Sequence, residues 1–153
     1  MKILRITSNS DKNFLEEKIK SNKTASFENI ISIYKQENLI KHRSLKNYLK
    51  ELEFKDVIID DAISQFQWLK ESLPDLKNKI KLSDIIYEQI NLFQPNIIFV
   101  VSGAGYLLKK ENFKIIKNIC SAKTILYWGD EFPDVRNFFF SYYDKIITIN
   151  KGY

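Results

Sequence analysis

The run Gln94-Pro95-Asn96-Ile97-Ile98-Phe99-Val100-Val101-Ser102-Gly103-Ala104-Gly105 decides how this chain is read. A helix ends at the proline, which has no amide hydrogen and crowds the preceding turn. A continuous apolar segment follows, and the chain then breaks into small residues. A strand such as Ile97–Val101 needs cover on both faces, the pattern of a buried parallel strand and not of a half-wet antiparallel one. The same grammar recurs at Lys123–Trp128, followed by Gly129-Asp130-Glu131. In open α/β sheets ligands bind outside the carboxyl ends of such strands, so these two tips are the first places to look for function.

Working outward, Lys2–Thr7 forms a first strand with Arg5 as its interior charge, and Ser8-Asn9-Ser10-Asp11 turns the chain. Phe27, Ile30, Ile31 and Tyr34 fall at helical spacing, with Ser26 placed as the cap. Leu45, Tyr48, Leu49 and Leu52 repeat that spacing behind Ser44. Val57-Ile58-Ile59 makes a second strand, closed by Asp60-Asp61. Ile63, Phe66, Leu69 and Leu73 predict a helix stopped near Pro74. A further helix opens at Ser83-Asp84 and carries Ile85, Ile86, Ile90 and Phe93. Phe113, Ile115, Ile116 and Ile119 mark another, Pro133–Ser141 a short one, and Ile146–Ile149 a fifth strand.

Strands alternating with helices imply parallel pairing through right-handed crossovers. The expectation is an α/β fold, a Rossmann-like three-layer sandwich with a five-stranded parallel sheet, in the strand order 3-2-1-4-5. Residues 1–153 read as one such domain, a length suited to a single core. Little chain follows the last strand, whereas a helix normally covers that edge. The sequence therefore reads as cut, with a short natural protein as the alternative.

Composition narrows the function classes. Hydrophobic residues make up 44% and aromatics 14%, ample for a core and contrary to wholesale disorder. The net charge of +5 comes mostly from lysine, since arginine occurs only at Arg5, Arg43 and Arg136. No basic block interleaved with aromatics is present, so no nucleic-acid partner is expected. No segment approaches the roughly 20 apolar residues that span a bilayer, and no secretory signal opens the chain. A lone cysteine, Cys120, excludes an internal disulfide and fits a reducing, cytoplasmic setting. The single histidine, His42, cannot build a histidine metal cluster, and no metal or cofactor is expected. Cys120 falls on an apolar helix face, where a buried thiol is ordinary.

Several motifs resemble, in order and spacing, the amino-terminal half of CgeB-like glycosyltransferases. They are Ser26–Ile31 with Tyr34–Glu37, then Ser44–Leu52, Gln65–Leu69 with Glu71, Gln94-Pro95-Asn96-Ile97, and Tyr143–Thr148. Gln65-Phe66-Gln67-Trp68 matches a Q-x-x-W-type helix of that family, and Asn96 stands where the family carries an acidic residue. The similarity covers roughly residues 26–150. It implies a two-domain transferase of the GT-B type, of which this chain is the first, acceptor-binding domain. The nucleotide-sugar donor then contacts mainly the missing second domain, and this chain alone transfers nothing.

Each candidate site residue carries two readings. Ser102, Gly103 and Gly105, together with Ser8 and Asn9, offer close backbone approach to a sugar or glycan acceptor, or form plain turns. Asp130 and Glu131 supply a general base for an acceptor hydroxyl, or charge a solvated turn before Pro133. Asp60 and Asp61 hold a ligand, or cap a helix. Trp68 and Trp128 stack on a sugar, or fill the core. The run Phe138-Phe139-Phe140 with Tyr142-Tyr143 faces a second domain in part, as exposed apolar patches do. Outside the transferase reading, a stand-alone Rossmann-like binding module and an interaction protein remain.

Overall fold

In the computed structural model, which describes residues 1–8, 26–36, 51–76, 78–129 and 140–148, strands and helices alternate along the chain. The strands are β1 (Lys2–Thr7), β2 (Glu53–Ile58), β3 (Ile97–Val101), β4 (Lys123–Trp128) and β5 (Lys145–Thr148). The helices are α1 (Phe27–Gln36), α2 (Ala62–Ser72), α3 (Leu82–Phe93), the single turn α4 (Ser102–Gly105) and α5 (Lys110–Ile119). All strand pairs are parallel, and the fold is the expected Rossmann-like α/β sandwich.

The strand order is β2-β1-β3-β4-β5, which corrects the expected 3-2-1-4-5. The reason lies in the second strand. It begins at Glu53, four residues before the apolar triplet Val57-Ile58-Ile59 that marks it in the sequence, and Glu53 and Lys55 are exposed. A strand with charges along its first half suits the edge of a sheet. Strand β3, apolar throughout and almost fully buried, takes the interior place beside β1.

Side chains alternate across the sheet, and the two faces have different covers. Leu4, Ile6, Val57, Ile98, Val100, Leu126 and Trp128 meet Ile86, Ile90 and Phe93 of α3 and Phe113 and Ile116 of α5. On the opposite face Ile58 meets Phe27, Ile30, Ile31 and Tyr34 of α1. Helix α2 flanks the β2 edge, touching both α1 and α3. Ile6, Ile58, Ile85, Ile90, Val100 and Leu126 are wholly buried, each worth about 1.5–3 kcal/mol relative to exposure. A surface pair such as Lys2–Glu53, with side chains 43% and 53% exposed, contributes at most about 1 kcal/mol. Apolar packing therefore holds the sandwich, and the exposed pairs do not.

Two helical faces differ from their periodicity. In α2 the buried positions are Ser64, Gln65 and Leu69, while Phe66 is 40% exposed. Gln65 is drawn inward because its Nε2 donates to the Ile58 carbonyl at 2.9 Å, which rotates Phe66 outward. In α5, Ile115 is 41% exposed, and the buried pair is Phe113 and Ile116. Helix α3 starts at Leu82, with Lys81 as its N-cap, so Ser83 and Asp84 lie inside its first turn. Strand β5 runs one residue earlier than expected, from Lys145. The helices expected over Leu45–Leu52 and Pro133–Ser141 fall largely outside the described residues. At their described ends, Glu51-Leu52 lead into β2 and Phe140–Tyr142 form one 3-10 turn.

Candidate functional site at the carboxyl edge of the sheet

Because every strand is parallel, Ser8, Asp60-Asp61, Ser102–Gly105 and Gly129 all leave the same edge of the sheet. The order adds a sharper condition. The β1-to-β2 crossover carries α1 on one face, whereas the β2-to-β3 and β3-to-β4 crossovers carry α3 and α5 on the other. The winding therefore reverses between β1 and β3. That is the topological switch point, where open α/β sheets form their ligand crevice.

Ser8 and Gly103 meet there. A Cβ built on Gly103 would fall on the Ser8 hydroxyl oxygen, so glycine lets that hydroxyl lie directly against the start of α4. Gly103 has no left-handed backbone, and its role is close approach, not conformational freedom. Ser8 and Gly103 are half-buried and Gly105 is buried. Ala104 is fully buried and plugs the turn into the core, with α4 touching β1, β3 and β4. Asn9, Asp130 and Glu131 lie outside the described residues.

Asp61 acts as a helix cap. Its Oδ2 accepts the Ser64 amide at 2.9 Å, and the side chain is buried. It also accepts the Tyr34 hydroxyl; burial first and the Asp61 carboxylate second push the ionisation of Tyr34 far above the ordinary tyrosine value. Asp61 is thus committed to internal partners, which weighs against its holding a ligand.

Trp128, at the end of β4, is 1% exposed and belongs to the core, with Tyr106 and Phe140 edge-on at 5.3 and 5.9 Å. Among the described residues the aromatic ring presented at this edge is Tyr106, 45% exposed and one residue beyond α4. The sequence marks it only by its place directly after Gly105. In the carboxyl-terminal aromatic run, Tyr142 and Tyr143 turn onto Phe113 at 5.7 and 4.7 Å, so they serve the core instead of facing outward. Tyr143 is buried, and burial pushes its ionisation well above the ordinary value. Cys120 caps the end of α5, half-buried against the core.

Among the described residues no group of three or more His, Cys, Asp and Glu is placed to hold a metal, and no helix is long and apolar enough to cross a membrane. Among the described residues the edge thus offers the Ser8 hydroxyl, the close approach at Gly103 and the exposed ring of Tyr106. No family model, curated protein or solved structure matches the chain.

Proposed function

We propose that this chain is the acceptor-binding domain of a nucleotide-sugar-dependent glycosyltransferase of the GT-B type, working in the cytoplasm. The observation that carries the reading is the meeting of Ser8 and Gly103 at the switch point, beside the exposed ring of Tyr106. It is joined by the ordered likeness of residues 26–150 to CgeB-like glycosyltransferases. In this reading Ser8, Asn9, Ser102, Gly103 and Gly105 receive the acceptor sugar. Asp130 and Glu131 serve as the base that takes the proton from its attacking hydroxyl. The nucleotide-sugar is held by a second domain, and transfer needs both halves closed around the reactants, because much of the rate comes from positioning.

The alternative is a stand-alone binding module. The order 2-1-3-4-5 favours it, since that is the order of flavodoxin-type sheets, whose ligand sits at the β1/β3 crevice. Calorimetry on residues 1–153 with a panel of nucleotide-sugars separates the two. The transferase reading expects weak binding or none. A low-micromolar constant, about −8 kcal/mol, would place the donor in this domain and overturn the assignment.

A further inference from the structure

A second cavity lies away from the carboxyl edge, beside the outer strand β2. Its volume is about 90 Å3, room for one small ring or about three waters. Lys55–Val57 of β2, Trp68 and Ser72 of α2, Gln89 and Phe93 of α3, and Phe27 of α1 line it. Phe93 accepts a hydrogen bond from Lys2 at the start of β1, so the cavity belongs to the amino half of the sheet.

Gln89 is the feature that asks for a ligand. It is 3% exposed, and both its amide nitrogen and its amide oxygen lack a hydrogen-bond partner. Buried polar groups are almost always satisfied, and an amide left with neither its donor nor its acceptor matched is a rare arrangement. Of the other polar side chains in the wall, the one carboxylate, Asp56, is already committed, pairing with Arg5 at 2.5 Å and with Lys35 at 2.8 Å. The wall therefore makes no demand for a cation. Glu53 and Ile59 direct their amides to β1, so the alternate residue Asp56 turns its peptide group to the outer edge. Three aromatic residues, Phe27, Trp68 and Phe93, supply apolar surface around these groups.

We propose that this cavity binds a small, neutral, planar ring bearing an amide, within the ring as in uracil or attached to it as in nicotinamide. Such a ring presents a donor and an acceptor side by side, the complement of one glutamine amide, and its faces suit the aromatic lining. The site is independent of the glycosyltransferase reading.

The test is a titration of the 15N-labelled chain with uracil, nicotinamide, acetamide and benzene, followed through the Gln89 side-chain amide and the Trp68 indole. Uracil or nicotinamide is expected to shift both signals, acetamide more weakly and benzene not at all. Gln89→Leu is expected to weaken the best ligand at least tenfold without lowering the unfolding midpoint. Leu92→Trp, at a rim residue 54% exposed where folding is not at risk, is expected to obstruct binding in the same way. No shift at millimolar ligand would mean that the cavity holds solvent only, and benzene binding as well as uracil would mean that Gln89 reads nothing. Either result overturns the proposal, as does unchanged uracil binding in the variants.

Discussion

Replacing Asp56 by alanine tests the least expected part of the interior. Arg5 and Asp56 are partners in the β1–β2 register, and their side chains are 2% and 0% exposed. The Arg5 Nε lies 2.5 Å from Asp56 Oδ1, with the guanidinium 5.3 Å from the Phe54 ring. Lys35 of α1 reaches Oδ2 at 2.8 Å, but it is 27% exposed and swings back to water easily. Asp56→Ala therefore leaves one charge, Arg5, buried without its carboxylate. Removing one member of a buried pair costs about 3–5 kcal/mol, roughly a fifth or more of a total stability of about 5–15 kcal/mol. With a urea dependence of about 2 kcal/mol per molar, the midpoint should fall by about 2 M at unchanged slope. The double variant Arg5→Met/Asp56→Leu removes both charges at similar volume, and it should fold at least as stably as the parent. A cost for Asp56→Ala below about 1 kcal/mol, the value of an exposed pair, would refute the reasoning.

Gly103→Ala should leave stability within about 1 kcal/mol, since alanine is the better helix former and the Ser8 hydroxyl can rotate away. It should nevertheless weaken acceptor binding, read by calorimetry with a glycan panel. Asp61→Ala should cost about 2 kcal/mol in urea unfolding, about half from the lost cap and the rest from the Tyr34 hydroxyl left without that acceptor; Asp61→Asn should recover the cap. Stability should also bend at both ends of the pH range. The amide and hydroxyl of Thr124 hold the Asp144 carboxyl below its ordinary value, so its contribution is present above about pH 4 and lost as pH falls further. Asp144→Asn should flatten that acid limb. Tyr34 and Tyr143 ionise only far above the ordinary value when folded. The unfolded chain then releases protons first above about pH 10, and stability falls there as pH rises, less steeply in Tyr143→Phe.

The fold class was legible because β1, β3 and β4 are apolar runs closed by small or polar residues, and α1 and α3 keep clean helical spacing. The strand order was not. It depends on β2, whose charged half Glu53–Asp56 has no strand-like pattern, and reading only its apolar end hides its character as an edge. Polar residues at core spacing were the other blind spot. Gln65 and Gln89 fall on the inward faces of α2 and α3, and a scan for apolar periodicity passes over both. A glutamine at a buried helical position is a signal in itself, since it must find a partner or face a cavity, and these two do one each. At the site, Ser8 and Gly103 were found by their place at strand ends, but that they touch follows only from the order of the strands.

The residues behind the family likeness turn out to be tie points of the sandwich. Gln65 bonds the Ile58 carbonyl, and Glu71 accepts the amide that opens α1 at Phe27. Asn96 exchanges bonds with both backbone groups of Lys2 and accepts the amide of Lys123, fastening the starts of β1, β3 and β4. Asp144 does the same between β5 and Thr124 of β4. Two of these, Asn96 and Asp144, sit at the amino edge of the sheet, opposite the candidate site. Pins there fix strand register and so fix where the strands end, but they carry no information about what binds beyond those ends. The pins at the amino edge and the candidate site at the carboxyl edge are separate, so the likeness supports the architecture more directly than the proposed activity. The activity has to be tested at Ser8 and Gly103, where a substitution changes the crevice and leaves the pins intact.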